Sequence, residues 1–535
     1  MSASVIIPAY QASDTIAQTV RAVCDIPGVS EVIVVDDGSR DSTAEIATAA
    51  GADYVIELPK NRGKGAALMA GVEVAREPHL LFLDADLGDS ARRAGPLLDA
   101  ANSDTSLAVA ALPSAATVGR GGFGIALGLA RATIRLLAGL HVAAPMSGQR
   151  AVPTALVRHI GLAPRFAVEV ALTAEAAHLG VPLREICLQF EHGRTGRTLS
   201  GFLHRFRQFR DVCGYLLLTG YGLGWPALKR RRTAARIVIW VLTLAALTGL
   251  GGYLSPEASF MLALATVAAM LAWLPLLWAT GVWLGIRRRN YLGRSLPGAA
   301  GAVFPVVSIP ALWMSPLEPR VRAAAAIVIA TLAVVGLLDD VFARGHRARG
   351  LRGHMLALLR AQLTTGVIKA VGGLAAGLAA GCLLHPGRPA VVALDAILIA
   401  LSANLVNLFD LRPGRALKGF AFLCALAVGL EGSSLGLLGP LAAVAIVAAP
   451  SDLAGRTMMG DVGSNVLGGA VGLALASTLT PLDSVAAVLL LIAFHLVCER
   501  TSLTDVIAGS RVLSWIDRLG TAHLAPFPQP PVERP

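Results

Sequence analysis

The chain has 535 residues, of which 55% are hydrophobic and 15% charged. A soluble protein carries about 25% charged residues, so the composition excludes a wholly soluble chain. Lys and Arg outnumber Asp and Glu by 46 to 35; with no aromatic-interleaved basic groove, this excess speaks for membrane and phosphate partners and against nucleic acid.

Taken in chain order, the first 220 residues alternate short apolar runs with amphipathic stretches. Val5–Ile7, Glu31–Val35, Tyr54–Leu58 and Leu80–Leu83 read as strands, with helices predicted over 14–24, 41–50, 64–77 and 90–102. That order predicts an α/β domain with a largely parallel sheet, whose ligands bind beyond the carboxyl ends of the strands. Ser4–Tyr10 reads as a buried strand, so no signal peptide is expected. Two basic segments, 125–141 and 201–217, have the pattern of helices lying on a membrane surface, with packing against the sheet as the alternative for the first. Lys229-Arg-Arg-Arg232 follows as a basic juxtamembrane linker, placed at 226–235.

From about residue 236 the chain turns apolar. Segments 236–254, 259–285, 298–315, 321–338, 361–383, 389–409, 417–431, 433–449, 465–480 and 482–498 predict an all-α polytopic membrane domain of about ten helices. With a cytoplasmic first domain, the arginines of loops 286–297, 339–360, 410–416 and 450–464 and of the C-terminus fall inside, as insertion energetics favour. The expected organisation is a cytoplasmic domain over 1–225, a membrane domain over 236–500 and a cytoplasmic tail over 501–535, in the cell membrane. The six cysteines are scattered without a C-x-x-C pair, so neither a zinc site nor a disulfide framework is expected.

Several residues of the first half carry chemistry. Asp36-Asp37 and Asp84-Ala-Asp86 follow strands directly. Two carboxylates at one strand end can hold a divalent cation, which neutralises a diphosphate leaving group. Asp36 and Asp37 can also cap the following helix. Lys64 sits between glycines, as a ligand contact or a solvated loop residue. Glu169 lies in an apolar stretch where an unpaired carboxylate is costly. His192 can serve as a third metal ligand, a phosphate contact or a plain loop residue, and Arg194 and Arg197 suit phosphate oxygens.

Val5-Ile-Ile-Pro-Ala-Tyr10, Val34-Val-Asp-Asp-Gly-Ser39, Asn61-Arg-Gly-Lys-Gly65, Asp84-Ala-Asp86, Ser147-Gly-Gln-Arg150 and Phe166-Ala-Val-Glu-Val170 together resemble the family-two glycosyltransferases of the GT-A fold, of the dolichol-phosphate mannose synthase and glucosyl-phosphoglycerate synthase kind. The resemblance implies that Asp36 contacts the nucleotide, with Asp37 beside it, and that Lys64, Arg194 and Arg197 lie along the donor. It further implies that Asp84 and Asp86, with His192, hold Mg²⁺ or Mn²⁺, and that Glu169 faces the reacting sugar or acceptor.

In the second half acids gather at the cytoplasmic ends of predicted spans: Asp339-Asp340, Asp410 and Asp461. Asn290-Tyr-Leu-Gly-Arg-Ser-Leu-Pro297, Gly336-Leu-Leu-Asp-Asp340, Asn404-Leu-Val-Asn-Leu-Phe-Asp410 and Met459-Gly-Asp-Val-Gly-Ser464 resemble the polyprenyl-phosphate N-acetylhexosamine-1-phosphate transferase superfamily. That resemblance implies Asp339 and Asp340 near the lipid phosphate, Asp340 and Asp410 in a catalytic centre and Asp461 as a Mg²⁺ ligand. The chain departs from that pattern at Leu411-Arg-Pro-Gly-Arg415 and lacks its histidine-rich loop.

The function expected from these residues is transfer of a sugar from a nucleotide-sugar to a polyprenyl-phosphate or polyprenyl-linked acceptor, with sugar-phosphate transfer in the membrane half as a second activity. The alternatives are a membrane half that only anchors lipid, and a transporter of lipid-linked sugar with a regulatory first domain.

Overall fold

The computed structural model describes residues 2–102, 106–111, 123–191, 199–220, 256–289, 295–298, 300–342 and 365–521. His192, Arg194, Arg197, the basic linker and the expected span 236–254 lie outside them. The chain divides into two units, one from the first 219 residues and one essentially from residue 235 to 525.

The first unit is a seven-stranded sheet with helices on both faces. It opens with β1 (Ala3–Ala9), α1 (Ile16–Cys24), β2 (Val29–Asp36), α2 (Thr43–Ala49), β3 (Tyr54–Glu57), α3 (Lys64–Val74) and β4 (His79–Phe82). These strands pair in parallel, and their β-branched runs suit strands buried on both faces. Alternation decides the partners: Val5 and Ile7 pack with Ile16 and Val20 of α1, while Ile6 packs with Leu68 and Val72 of α3.

The predicted helix over 90–102 divides into a 3₁₀ segment, Gly88–Ala94, and α4 (Gly95–Asn102); Pro96 suits the first turn of a helix, where its missing N–H goes unneeded. Then come β5 (Leu107–Ala111), α5 (Phe123–Ala138), β6 (Arg150–Pro153), α6 (Thr154–Ile160), α7 (Val168–His178), β7 (Leu183–Cys187) and α8 (Leu199–Gly220). The sheet order is β3-β2-β1-β4-β6-β5-β7. Strands β5 to β7 go beyond the four predicted, and β6 runs antiparallel to both its neighbours. Its antiparallel course sets Arg150 opposite Phe82, so residues 147–149 arrive at the carboxyl end of β4. The two segments with an interfacial pattern are α5 and α8. Both bury a face in one cluster with α7, through Ala130 and Ile134, Val212 and Tyr215, and Val170 and Ala174.

The second unit contains α9 (Pro256–Trp278), running into a π turn, a short hairpin β8 (Arg287–Arg289) and β9 (Ser295–Pro297), then α10 (Val303–Trp313), α11 (Pro319–Phe342), α12 (Thr365–Leu384) and α13 (Pro389–Phe409). It continues through α14 (Arg415–Leu430), α15 (Ser434–Leu453), α16 (Gly460–Thr478), α17 (Pro481–Arg500), α18 (Leu503–Gly509) and α19 (Arg511–Arg518). Proline opens α9, α11, α13 and α17, where its missing N–H goes unneeded. Among the described residues six helices are long and apolar enough to cross a membrane: 263–283, 319–341, 366–384, 389–409, 434–453 and 481–500. About ten spans were expected; the segments 298–315 and 417–431 form the shorter helices α10 and α14. The segment at 465–480 becomes α16, buried along nearly its whole length. Its glycines explain the burial: a Cβ on Gly472 would lie 2.7 Å from Ile399 Cα of α13, and one on Gly468 2.7 Å from Ala403 Cα. Small residues of this kind let helix backbones approach closely.

The departure at 411–415 has a structural role. Arg415, 4% exposed at its side chain, makes a two-pronged ion pair with Asp517 of α19 at 2.6 and 2.8 Å. Lys418 donates to the carbonyls of Ile516 and Asp517. The tail helix is thereby clasped to the start of α14.

Candidate functional site

The loop between β3 and α3 builds one wall of a cleft in the first unit. Asp37 accepts the backbone N–H groups of Arg62 and Gly63, both at 2.7 Å. Gly63 has φ +88°, a conformation that favours glycine. A Cβ on Gly65 would collide with the Ala163 carbonyl, so the first turn of α3 lies directly on the segment before α7. Lys64, between these glycines, is thereby aimed inward.

Lys64 Nζ lies 2.6 Å from Asp84 Oδ1 and 2.9 Å from Glu169 Oε1. Burial disfavours the ammonium, but the two carboxylates more than offset this and raise the Lys64 pKa above its ordinary value. Gln149 Nε2 donates to Asp84 Oδ2 at 2.7 Å. Glu169 stands in the first turn of α7 and is 7% exposed; a carboxylate is favoured at a helix N-terminus. Arg150, 1% exposed, holds the corner together. It donates to the carbonyls of Ser147, Glu169 and Pro145 and to Thr173 Oγ1. Burial pushes its pKa down to about 10, which leaves it charged at neutral pH.

The cleft holds about 640 Å³ and is lined by Tyr10, Asp37, Lys64, Asp84, Arg165 and Arg207 among others. The structure thus brings together Asp37, Lys64 and Asp84 of the sequence-derived set, with Glu169 behind Lys64. Asp36 is buried, and its Oδ1 accepts the N–H and hydroxyl of Ser39. It caps its own turn, while Asp41 takes the cap at the start of α2 by accepting from Thr43. Burial raises the Asp37 pKa, partly countered by the two N–H groups it accepts. Asp86, two residues past Asp84, is half-buried.

The donor set fits a hard divalent cation. Asp84 and Asp86 offer carboxylate oxygens, which Mg²⁺ and Mn²⁺ prefer. Gly148 keeps the space beside them clear: a Cβ there would lie 2.6 Å from Asp84 Oδ2 and 2.5 Å from Lys64 Nζ. The substitution Gly148→Ala is therefore expected to lower activity about 10-fold or more, since overpacking costs typically 1–3 kcal/mol. A donor titration comparing kcat and KM checks it.

A second cluster forms in the other unit. Arg288 Nη2 lies 3.1 Å from Asp340, 3.7 Å from Asp339 and 3.8 Å from Asp461. Lys369 Nζ lies 2.7 Å from Asp339 Oδ2 and 2.5 Å from Asp461 Oδ2. The N–H groups of Asp461 and Val462, at the start of α16, donate to Asp340. Asp410 follows the last turn of α13; burial, and then the neighbouring charges of Asp452, Asp461 and Asp340, push its pKa up. The acids named from sequence thus gather, with the Lys369 ammonium between Asp339 and Asp461.

Sequence reasoning gave no role to Gln149, Arg150 or Lys369. Arg150 had a signal in Ser147-Gly-Gln-Arg150, where a charge opens an apolar run. Lys369 had a plainer one, as a lysine inside an apolar span-length segment.

Residues 4–123 match the profile of glycosyl transferase family 2. Among curated proteins, the succinoglycan biosynthesis protein ExoU of Rhizobium meliloti is 40% identical over 86 residues, 15% of this chain and 25% of that protein. The undecaprenyl-phosphate 4-deoxy-4-formamido-L-arabinose transferase of Pseudomonas aeruginosa is 38% identical over 93 residues, 16% of this chain and 27% of the relative. The dolichyl-phosphate beta-glucosyltransferase ALG5C of Trichomonas vaginalis is 38% identical over 94 residues, 15% and 28% of the two chains. The chain thus spans about a quarter of the length of the curated relatives it matches. Among solved structures, glucosyl-3-phosphoglycerate synthase from Mycobacterium tuberculosis, in complex with Mn²⁺, uridine diphosphate and glucosyl-3-phosphoglycerate, is 26% identical. It covers 41% of this chain and 79% of its own, with a TM-score of 0.35. The match to glycosyl transferase family 2 falls in the first unit, whose α/β sheet is of the class expected for GT-A enzymes, and the helical region after it holds six candidate spans among the described residues.

Proposed function

We propose that this protein transfers a sugar from a nucleotide-sugar donor to a polyprenyl-phosphate or polyprenyl-linked acceptor in cell-envelope glycan assembly. The observation that carries the reading is the convergence of Lys64, Asp84, Gln149 and Glu169 at the carboxyl ends of the sheet, inside a family-two domain. Two relatives support the acceptor class by name, one an undecaprenyl-phosphate and one a dolichyl-phosphate sugar transferase.

In this reading Asp36 and Asp37 border the nucleotide, and Lys64 holds a positive charge against the donor phosphates. Arg194 and Arg197 add guanidinium contacts to the same phosphates. Asp84 and Asp86, with His192, would hold Mg²⁺ or Mn²⁺, which supplies Lewis-acid stabilisation of the nucleoside diphosphate leaving group. Glu169 faces the acceptor, and Lys64 orients its carboxylate. The protein sits in the cell membrane as a multi-pass chain with both termini cytoplasmic, and the membrane domain presents the lipid. Asp339 and Asp340 would border its phosphate, with Asp410 in the same centre.

The test is transfer of label from UDP- and GDP-sugars to undecaprenyl phosphate by the purified full chain. Asp86→Ala is expected to lower the rate by about 10²-fold or more, as loss of a transition-state charge contact does. Label transfer that is unchanged in that variant would overturn the role of Asp86, and no lipid label with any donor would overturn the acceptor class. Asp461→Ala separates the two readings of the membrane half. Unchanged product favours lipid presentation, whereas lost product with UMP released by the parent favours a second, sugar-phosphate transfer centred on Asp340, Asp410 and Asp461.

A further inference from the structure

The acid cluster of the membrane half has its positive charge built into the chain. Lys369 Nζ lies between two carboxylate oxygens, Asp339 Oδ2 and Asp461 Oδ2, at 2.7 and 2.5 Å. A divalent cation ligated by both acids would need that same position, with oxygens at about 2.0–2.1 Å for Mg²⁺. Among the described residues no three acidic, histidine or cysteine side chains converge as a metal site. In the first unit the lysine sits differently: Lys64 pairs Asp84 with Glu169.

The backbone fixes the arrangement. A Cβ on Gly336, one turn before Asp339, would lie 2.5 Å from the Asp461 carbonyl oxygen. A Cβ on Gly372, one turn after Lys369, would lie 2.6 Å from Val335 of α11. Helices α11, α12 and α16 therefore meet at glycine-width spacing on both sides of the cluster. The carboxylates and the ammonium cannot separate by sliding of helices. Lys369 can leave only by rotating its side chain out, which takes the nearer cation from two buried carboxylates and leaves them facing Arg288 at 3.7 and 3.8 Å. Breaking a buried pair in that way is strongly unfavourable.

We propose that Lys369 is the resident cation of the membrane acid cluster, and that the cluster takes no divalent metal in the native chain. The expected assignment of Asp461 as a Mg²⁺ ligand is replaced by an internal ion pair. The inference is independent of sugar transfer by the first unit.

The experiment is Mn²⁺ binding to the full chain in lipid nanodiscs, read by electron paramagnetic resonance. All proteins carry Asp86→Ala, which removes the contribution of the first unit, and each is compared with and without Asp461→Asn. With Lys369 intact, the bound-Mn²⁺ signal is expected to be the same with and without Asp461→Asn. Adding Lys369→Met is expected to create an Asp461-dependent signal, with affinity at least about 10-fold tighter, as freeing a pre-formed pair of carboxylates allows. An Asp461-dependent signal with Lys369 intact would overturn the proposal, as would a folded Lys369→Met protein with no gain. Should Lys369→Met fail to fold, the first comparison decides alone.

Discussion

Replacing Lys64 with methionine is expected to destabilise the first unit by about 3 kcal/mol, the usual loss when one partner of a buried ion pair is removed. Sugar transfer should fall about 10²- to 10³-fold in the same variant. The ammonium touches both Asp84 and Glu169, so its removal leaves two carboxylates facing each other without the cation between them, while Gln149 still donates to Asp84. Residues that share one network are non-additive. Adding Glu169→Gln to Lys64→Met should therefore restore part of the stability by relieving like-charge repulsion, while activity stays lost. Thermal unfolding in detergent beside the transfer assay reads both. The pH sign follows from the raised Lys64 pKa: its stabilisation is complete below the unfolded value near 10.5 and is lost only as pH rises through the higher folded value. Assays near neutrality should show no limb from this residue.

Arg150→Met should be the most destabilising single change in the first unit, by about 4 kcal/mol. The guanidinium is 1% exposed and makes four hydrogen bonds. Three of the acceptors are backbone carbonyls; that of Glu169 keeps the Thr173 hydroxyl as a donor, while those of Ser147 and Pro145 lose the guanidinium, and an orphaned buried acceptor costs about 1–3 kcal/mol. Arg150→Lys should recover little, since an ammonium cannot reproduce the planar fork. Denaturant unfolding of the full chain, followed by near-ultraviolet circular dichroism, checks both variants. Activity should fall with stability, because Arg150 ties Ser147, and so Gly148 and Gln149, to the start of α7 that carries Glu169.

The parts of the fold legible in sequence are those where one local signal suffices. Strands β1, β2 and β4 are apolar runs, the last two leading into acidic residues, and α13 is a long apolar segment opened by Pro389, so its bounds match expectation. Strands β5 to β7 were not legible because their signals conflict. Ala108–Ala111 is small and nearly featureless, β6 begins on an arginine, and β7 carries the adjacent charges Arg184 and Glu185, which breaks the apolar alternation of a strand. Their pairing is decided by distant partners, which no short window contains. The site shows the same divide. Asp84, Lys64 and Glu169 stood out as charges in glycine-rich or apolar surroundings, but nothing local showed that one lysine joins the two acids. Lys369 was hidden for the opposite reason: a single charge barely changes the character of an apolar segment, although burial makes its partners obligatory.

The clasp between Arg415 and Asp517 sets an order of events during biosynthesis. Its two halves are 102 residues apart, and at about 5–20 residues per second the ribosome needs roughly 5–20 s to deliver the second after the first. Throughout that interval the nascent chain carries an arginine whose final environment is almost dry and whose counter-charge does not yet exist. The start of α14 must therefore wait near water or headgroups, and the last of the described helices completes the docking of one made long before it.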